Sequence, residues 1–148
     1  FTTKAHLVAG LQERLADGMI AMMADILGRA DEFDDYPAVV EDVVTRTVDY
    51  WCDHGDLVAC LQSADWAEAA DLVAAQDQRC VDLIEQGIRL GIERGDVEVA
   101  DPTLSALMVF HGLHGATHQV LVDGGGSVDR EPLARACVEA VHRLLGIA

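Results

Sequence analysis

Residues 101–122 read DPTLSALMVFHGLHGATHQVLV, and this stretch decides the fold class. Asp101 is a residue type that caps helix N-termini, and Pro102 suits the first helical turn. Apolar and small side chains follow at intervals of three or four residues, which is the period of an α-helix. The stretch therefore predicts one long helix with a stripe made of Leu104, Leu107, Met108, His111, Gly112, Gly115, Gln119 and Val122.

The remaining sequence shows the same helical period between its glycines and prolines. Good helix formers dominate these segments, and alternating β-branched runs are few, so strand signals are negligible. The predicted fold is all-α, with six helices in one domain that spans residues 1–148. The five further helices are expected from an N-cap at Thr3 to about Leu27, from Pro37 to about His54, from Asp56 to about Gln62, from a cap at Ser63 or Asp65 to about Gly95, and from about Asp129 to Gly146.

The charge balance excludes several classes of partner. The chain has 26 acidic and 10 basic residues, which gives a formal net charge of −16 with histidine neutral. DNA, RNA and anionic membranes are negatively charged, so we expect this segment alone to bind none of them. The longest apolar stretch, around Met19 to Ala24, is flanked by Asp17 and Asp25 and is far shorter than the roughly 18 residues of a membrane span.

The cysteines and the first residues indicate a cellular compartment. Cys52, Cys60, Cys80 and Cys137 form no C-x-x-C pair, and most lie in helix-like apolar patterns, where a thiol behaves as a small hydrophobic group. We therefore predict a reducing, cytoplasmic location. No basic segment followed by an apolar run opens the chain, and Phe1 stands in place of an initiator methionine, so we expect a longer protein without a signal peptide.

Three histidines, His111, His114 and His118, share one face of the predicted helix. Imidazoles at this spacing suit a metal site, a pocket that orients a small ligand, or packed and interfacial positions. The sequence contains no H-E-x-x-H pair, no G-x-S-x-G nucleophile motif and no phosphate-binding glycine loop. We therefore predict neither an enzyme nor a bound metal or cofactor, and we interpret the histidines as pocket or packing residues.

Polar groups on apolar stripes predict a ligand cavity between the second, fourth and fifth helices. Trp51 with His54 on the second helix, and Trp66 on the fourth, suit either the aromatic wall of a cavity or ordinary core packing. Thr47 and Gln76 would be left unpaired if the helices simply packed together, which costs free energy. We predict that the cavity is lined by Thr47, Trp51, Gln76, Cys80, Met108, His111 and His114.

The first residues and the last three helices resemble a known family. Phe1-Thr2-Thr3-Lys4, followed by Leu7, is similar to the aromatic-x-Ser/Thr-Lys-x-x-Leu junction between the helix-turn-helix domain and the effector domain of TetR-type bacterial transcriptional regulators. The fourth helix ends in glycines, and Asp101-Pro102 and a Gly-x-x-Gly pair follow, which also resembles these regulators. The resemblance covers the whole chain as six helices in the same order.

The resemblance implies an effector-binding and dimerisation domain of a regulator, most often a repressor. A small hydrophobic or aromatic effector would enter the helical cavity, and DNA would be bound only through a helix-turn-helix domain upstream of residue 1. Two alternatives remain open, namely a helical metal-dependent enzyme that uses the face of the three histidines, and a dimerisation module without a ligand. The last two helices would build the four-helix bundle of a homodimer through the small and apolar residues Gly112, Gly115, Ala116, Leu133, Ala136, Ala140, Val141 and Leu144.

Overall fold

Six α-helices make up the structure, a computed structural model that describes residues 3–62 and 70–148. They are α1 (Lys4–Gly28), α2 (Tyr36–Asp53), α3 (Gly55–Gln62), α4 (Ala70–Arg94), α5 (Pro102–Asp123) and α6 (Arg130–Leu145). The described residues contain no strand, so the all-α prediction is confirmed. None of the described helices is both long and apolar enough to cross a membrane. The interpretations of Phe1, Thr2, Ser63, Asp65 and Trp66 concern residues outside the described part of the chain.

The helices begin where capping side chains hold their first N–H groups. Thr3 Oγ1 accepts a hydrogen bond from the backbone N–H of His6 at 3.2 Å, and Asp101 Oδ1 accepts one from the N–H of Leu104 at 3.0 Å. Such caps satisfy N–H groups that have no partner within the helix. At the other end of the chain, Gly146 closes α6 in the left-handed conformation, with a φ of 64°. These predicted boundaries are confirmed.

Helix α2 packs against several other helices of the fold. It packs mainly against α6 and α1 and also contacts α5, while α4 packs against both α1 and α5. The Tyr50 hydroxyl of α2 donates a hydrogen bond to Leu15 O of α1 at 2.9 Å. The two helices approach closely there, since a Cβ on Gly18 would lie 2.3 Å from the Tyr50 hydroxyl oxygen. The space bounded by α1, α2, α4, α5 and α6 contains the site described below.

The buried face of α5 differs from the predicted stripe. Leu104 and Met108 are each 53% exposed, and His111, Gly112 and Gly115 are exposed as well. Helix α5 is apolar on almost all sides, so its periodicity alone does not decide which face packs inward. The buried face consists of Ala106, Val109, Phe110, Thr117, His118 and Leu121.

Gly91 is expected to tolerate no larger side chain. A Cβ at this position would lie 2.4 Å from Val97 Cγ2 and 2.5 Å from Tyr36 Cε1, and both of these side chains are buried. Gly91→Ala should therefore lower the free energy of unfolding by about 1–3 kcal/mol through overpacking. The matched change Gly28→Ala meets no atom within 4 Å and should leave stability unchanged or slightly higher. Denaturant unfolding of both variants checks the pair, and equal stabilities would contradict it.

Candidate functional site

A cavity of about 80 Å³ lies among five of the described helices. The predicted helices α2, α4 and α5 all contribute to its wall, and α1 and α6 contribute as well. Almost the whole lining is apolar, which is typical of sites for small hydrophobic ligands. The lining residues are Met19, Met23, Leu27, Tyr36, Val39, Val40, Val43, Val44, Thr47, Trp51, Leu83, Ile84, Gly87, Ile88, Val109, Phe110, Leu113, His114, Val141 and Leu145.

An aromatic cluster of Trp51, Phe110, His114 and His118 lies near the C-terminal end of α2; we call it the aromatic end. Its members Trp51, Phe110 and His114 line the cavity. The rings of Trp51 and His114 stack with 5.6 Å between centroids and 10° between planes. Phe110 at 5.0 Å and His118 at 3.9 Å make edge contacts with the same imidazole. The spacing of four residues along α5 brings these side chains onto one helix face.

Both histidines of the aromatic end are held neutral. Burial, with the neighbouring His111 as the secondary cause, lowers the pKa of His114 to about 4. Burial likewise lowers the pKa of His118 to about 3, with His114 as the secondary cause. At neutral pH the His114 ring therefore carries one N–H donor and one acceptor nitrogen, and it brings no positive charge to the cavity.

Thr47 and Tyr36 supply the hydroxyl groups of the lining. Thr47 Oγ1 donates a hydrogen bond to Val43 O at 2.7 Å, so its oxygen retains lone pairs that can accept one. The Tyr36 hydroxyl donates to Gly87 O, and burial raises the pKa of Tyr36 to about 12. No Asp, Glu, Lys or Arg belongs to the described lining. The cavity is therefore uncharged at neutral pH.

The structure brings three of the predicted site residues together on the cavity wall, namely Thr47, Trp51 and His114. Gln76 and Cys80 are buried on α4, but they lie outside the lining. Burial raises the pKa of the Cys80 thiol to about 11. Gln76 Oε1 has no hydrogen-bond partner among the described residues. These two polar groups therefore do not belong to the cavity wall.

The predicted lining needs correction at Met108 and His111, which lie on the exposed face of α5. Successive residues of an α-helix are rotated by about 100°, so the inward position of Phe110 turns His111 away from the cavity. His54 also lies outside the lining, where its Nδ1 is 2.7 Å from Tyr50 O. The polar part of the site is thus smaller than predicted.

Residues 35–146 match the family described as Tetracyclin repressor-like, C-terminal domain. The chain belongs to this family. The match spans α2 to α6, and no DNA-binding domain is found in this chain. No curated protein and no solved structure matches the chain. The resemblance to TetR-type regulators is thereby confirmed, and such C-terminal domains belong to regulators that are generally not enzymes.

Two helices contribute lining residues to this TetR-like domain that sequence reasoning missed. Helix α1 supplies Met19, Met23 and Leu27, and α6 supplies Val141 and Leu145. Val141 was predicted at a dimer contact, but it is 4% exposed and faces the cavity instead. All five are ordinary apolar core residues, so no local signal separates them from the rest of the core. Only the way the helices pack identifies them.

The three histidines of the TetR-like domain do not form a ligand set. Within the described residues, no group of three or more His, Cys, Asp or Glu is arranged to hold a metal ion. His111 lies on the exposed face, whereas His114 and His118 contact aromatic rings. A metal-dependent enzyme built on this helix face therefore has no support from the geometry.

Proposed function

We propose that this TetR-like domain binds a small hydrophobic effector in the cavity and forms a homodimer through α5 and α6. DNA recognition would belong to a helix-turn-helix domain elsewhere in a cytoplasmic regulator, which we propose to be a repressor. The observation that carries the effector proposal is the apolar cavity with Thr47, Trp51 and His114 on its wall. A dimerisation module without a ligand would be expected to have a filled core.

The energetic cost of the cavity supports a ligand. Protein interiors are normally close-packed, and an empty space lowers stability by about 24 cal/mol for each Å³. The apolar walls around this space of about 80 Å³ lack such packing contacts. A bound apolar molecule would recover dispersion contacts and remove apolar surface from water. We infer that the cavity is retained because it is occupied in the functional state.

The position of α1 supports coupling between the effector and DNA. Met19, Met23 and Leu27 of α1 line the cavity, and the same helix begins at Lys4, next to the junction-like residues. An effector that binds one arrangement of α1 more tightly than another would shift the population of the two arrangements. The domain would thereby transmit occupancy of the cavity to the DNA-binding part of the regulator.

The exposed apolar face of α5 and α6 supports a homodimer. On α5, a Cβ added at Gly112 or Gly115 meets no atom within 4 Å, so these glycines are not needed for packing inside one chain. On α6, Ala136 and Ala140 are exposed. Small residues on an outer face permit close approach of a second helix pair. We call this face the outer α5–α6 surface; it consists of the exposed residues Leu104, Met108, Gly112, Gly115, Ala136 and Ala140 and the half-buried Leu133 and Leu144.

We also propose a reducing location for the domain. None of the four cysteines, all of which lie in the described part of the chain, forms a disulfide. Burial raises the pKa of the Cys80 and Cys137 thiols, which keeps them protonated and unreactive. These thiols therefore act as small core side chains, as expected for a protein of the cytoplasm.

A thermal-shift experiment with apolar compounds tests the effector proposal. At a concentration one hundred times Kd, a ligand should stabilise the dimeric domain by about 2.7 kcal/mol. His114→Ala should abolish or strongly reduce the shift, because His114 lines the cavity. The matched variant His111→Ala on the exposed face should keep it. Equal losses in both variants, or no shift with any apolar compound, would contradict the proposed site.

A further inference from the structure

Buried polar side chains are rare in the described part of the chain. Apart from tyrosine, tryptophan and cysteine, only four polar side chains are buried there, namely those of Gln12, Gln76, Thr117 and His118. A buried polar atom loses its hydration and needs a hydrogen-bond partner in exchange. Each of these four residues therefore has to be explained by what it binds.

The Gln76 amide has an acceptor without a partner. Gln76 is 7% exposed, and its oxygen Oε1 is buried and accepts no hydrogen bond from the described residues. An amide oxygen can only accept, so the missing partner is an N–H or O–H donor. Replacement by an apolar residue would remove this cost, which makes the retained amide a sign of a partner from outside the chain.

Gln76 lies on the face of α4 that lines the cavity. Leu83 and Gly87 belong to the lining, and they follow Gln76 by seven and eleven residues. At about 100° for each residue, these spacings place all three positions within about 20° of one another around the helix axis. Gln76 therefore faces the same interior as the cavity, about 10 Å from Leu83 along the axis of α4.

Contacts between α1 and α4 give the relative direction of these helices. Arg79 Nη1 lies 2.8 Å from Asp17 Oδ1. Further along both helices, a Cβ on Gly87 would lie 3.3 Å from Leu27 Cδ2. Helices α1 and α4 therefore run in the same direction, and positions on one can be compared with positions on the other.

By this comparison, Gln76 lies level with the aromatic end. It is three residues before the ion pair of α4 with α1, which places it within one residue of the level of Leu15. Leu15 O accepts the hydrogen bond of the Tyr50 hydroxyl, and the next residue of α2 is Trp51 of the aromatic end. Gln12, three residues before Leu15, adds a second buried amide at this end of the bundle.

We propose that Gln76 is the polar anchor of the effector and that the effector carries an O–H or N–H group, which donates a hydrogen bond to Gln76 Oε1. The apolar body of the effector lies in the cavity. The lining does not include Gln76, so effector binding extends the cavity toward it by movement of side chains at the aromatic end. This inference rests on the proposed effector site and narrows its ligand to apolar molecules with a hydrogen-bond donor.

Two matched ligand pairs test the inference by calorimetric titration of the full chain at pH 7.5. p-Cresol carries an O–H group and indole an N–H group, whereas p-fluorotoluene and indene have nearly the same shapes and no donor. The donor of each pair should bind about tenfold more tightly, because its analogue leaves Gln76 Oε1 buried without a partner.

Gln76→Met removes the acceptor and retains a side chain of similar length. In this variant the donor of each pair should bind no more tightly than its analogue. Resistance to denaturant should stay unchanged or rise, because the unpartnered oxygen is gone. Gln86→Met, on the exposed face of the same helix, should keep the wild-type ratios of affinity. The wild-type ratios decide the inference even if Gln76→Met does not fold.

The outcomes separate this inference from the proposed function. If p-fluorotoluene and indene bind as tightly as their donor partners, or if Gln76→Met keeps the preference for donors, the anchor is overturned and an effector site is retained. Absence of binding by all four compounds would overturn both.

Discussion

Replacing Ala140 by glutamate is expected to convert the dimer into a folded monomer. Ala140 lies in the middle of α6 and is exposed in the single chain. A twofold contact through the outer α5–α6 surface would bury both copies of the new carboxylate. Burying an unpaired charge costs about 2 kcal/mol or more in each copy, so the dimer Kd should rise about 1000-fold or more. Sedimentation or light scattering at tens of micromolar measures the change.

The matched control is Ala24→Glu on α1. Ala24 is also an exposed helical alanine, but α1 packs against α2 and α4 and makes no substantial contact with α5 or α6. This variant adds the same charge and should stay dimeric. Circular dichroism should show that both variants keep their helices. A monomeric wild-type chain, or an Ala140→Glu protein that dimerises as tightly as the control, would refute the proposed interface.

The helix boundaries could be predicted from sequence because their causes are local. Thr3 and Asp101 each satisfy an N–H group only three residues ahead, and Gly146 ends α6 through its own backbone conformation. These effects depend on neighbours in the chain and are visible in the sequence.

The site could be predicted only in part because it depends on which helix faces meet. Thr47 and Trp51 were found because α2 has one apolar face, so its inner side is unambiguous. Helix α5 is apolar on nearly all sides, and the predicted stripe through Met108 and His111 proved to be its outer face. The lining residues of α1 and α6 could be identified only once the tertiary packing of the helices was known. A polar outer face on α5 would have removed the ambiguity.

Acid is expected to destabilise the domain already at pH values above those at which carboxyl groups ordinarily titrate. The ordinary histidine pKa is 6.5, and burial lowers that of His114 to about 4 and that of His118 to about 3. Between pH 6.5 and about 4 the unfolded chain therefore binds two protons that the folded chain does not bind. Stability must fall as the pH falls through this interval, and it is unaffected by these groups above pH 7.

The size of the acid effect follows from the same shifts. Each histidine lowers the free energy of unfolding by about 1.4 kcal/mol for each pH unit below 6.5, which amounts to about 4 kcal/mol for both at pH 5. Asp77 acts in the opposite direction, because burial raises the pKa of its carboxyl group. The variant carrying His114→Gln and His118→Gln keeps Asp77 and should lose most of the slope. Denaturant unfolding at pH 7.5, 6 and 5 measures both proteins, and parallel pH profiles would show that the imidazoles of the aromatic end are not held neutral.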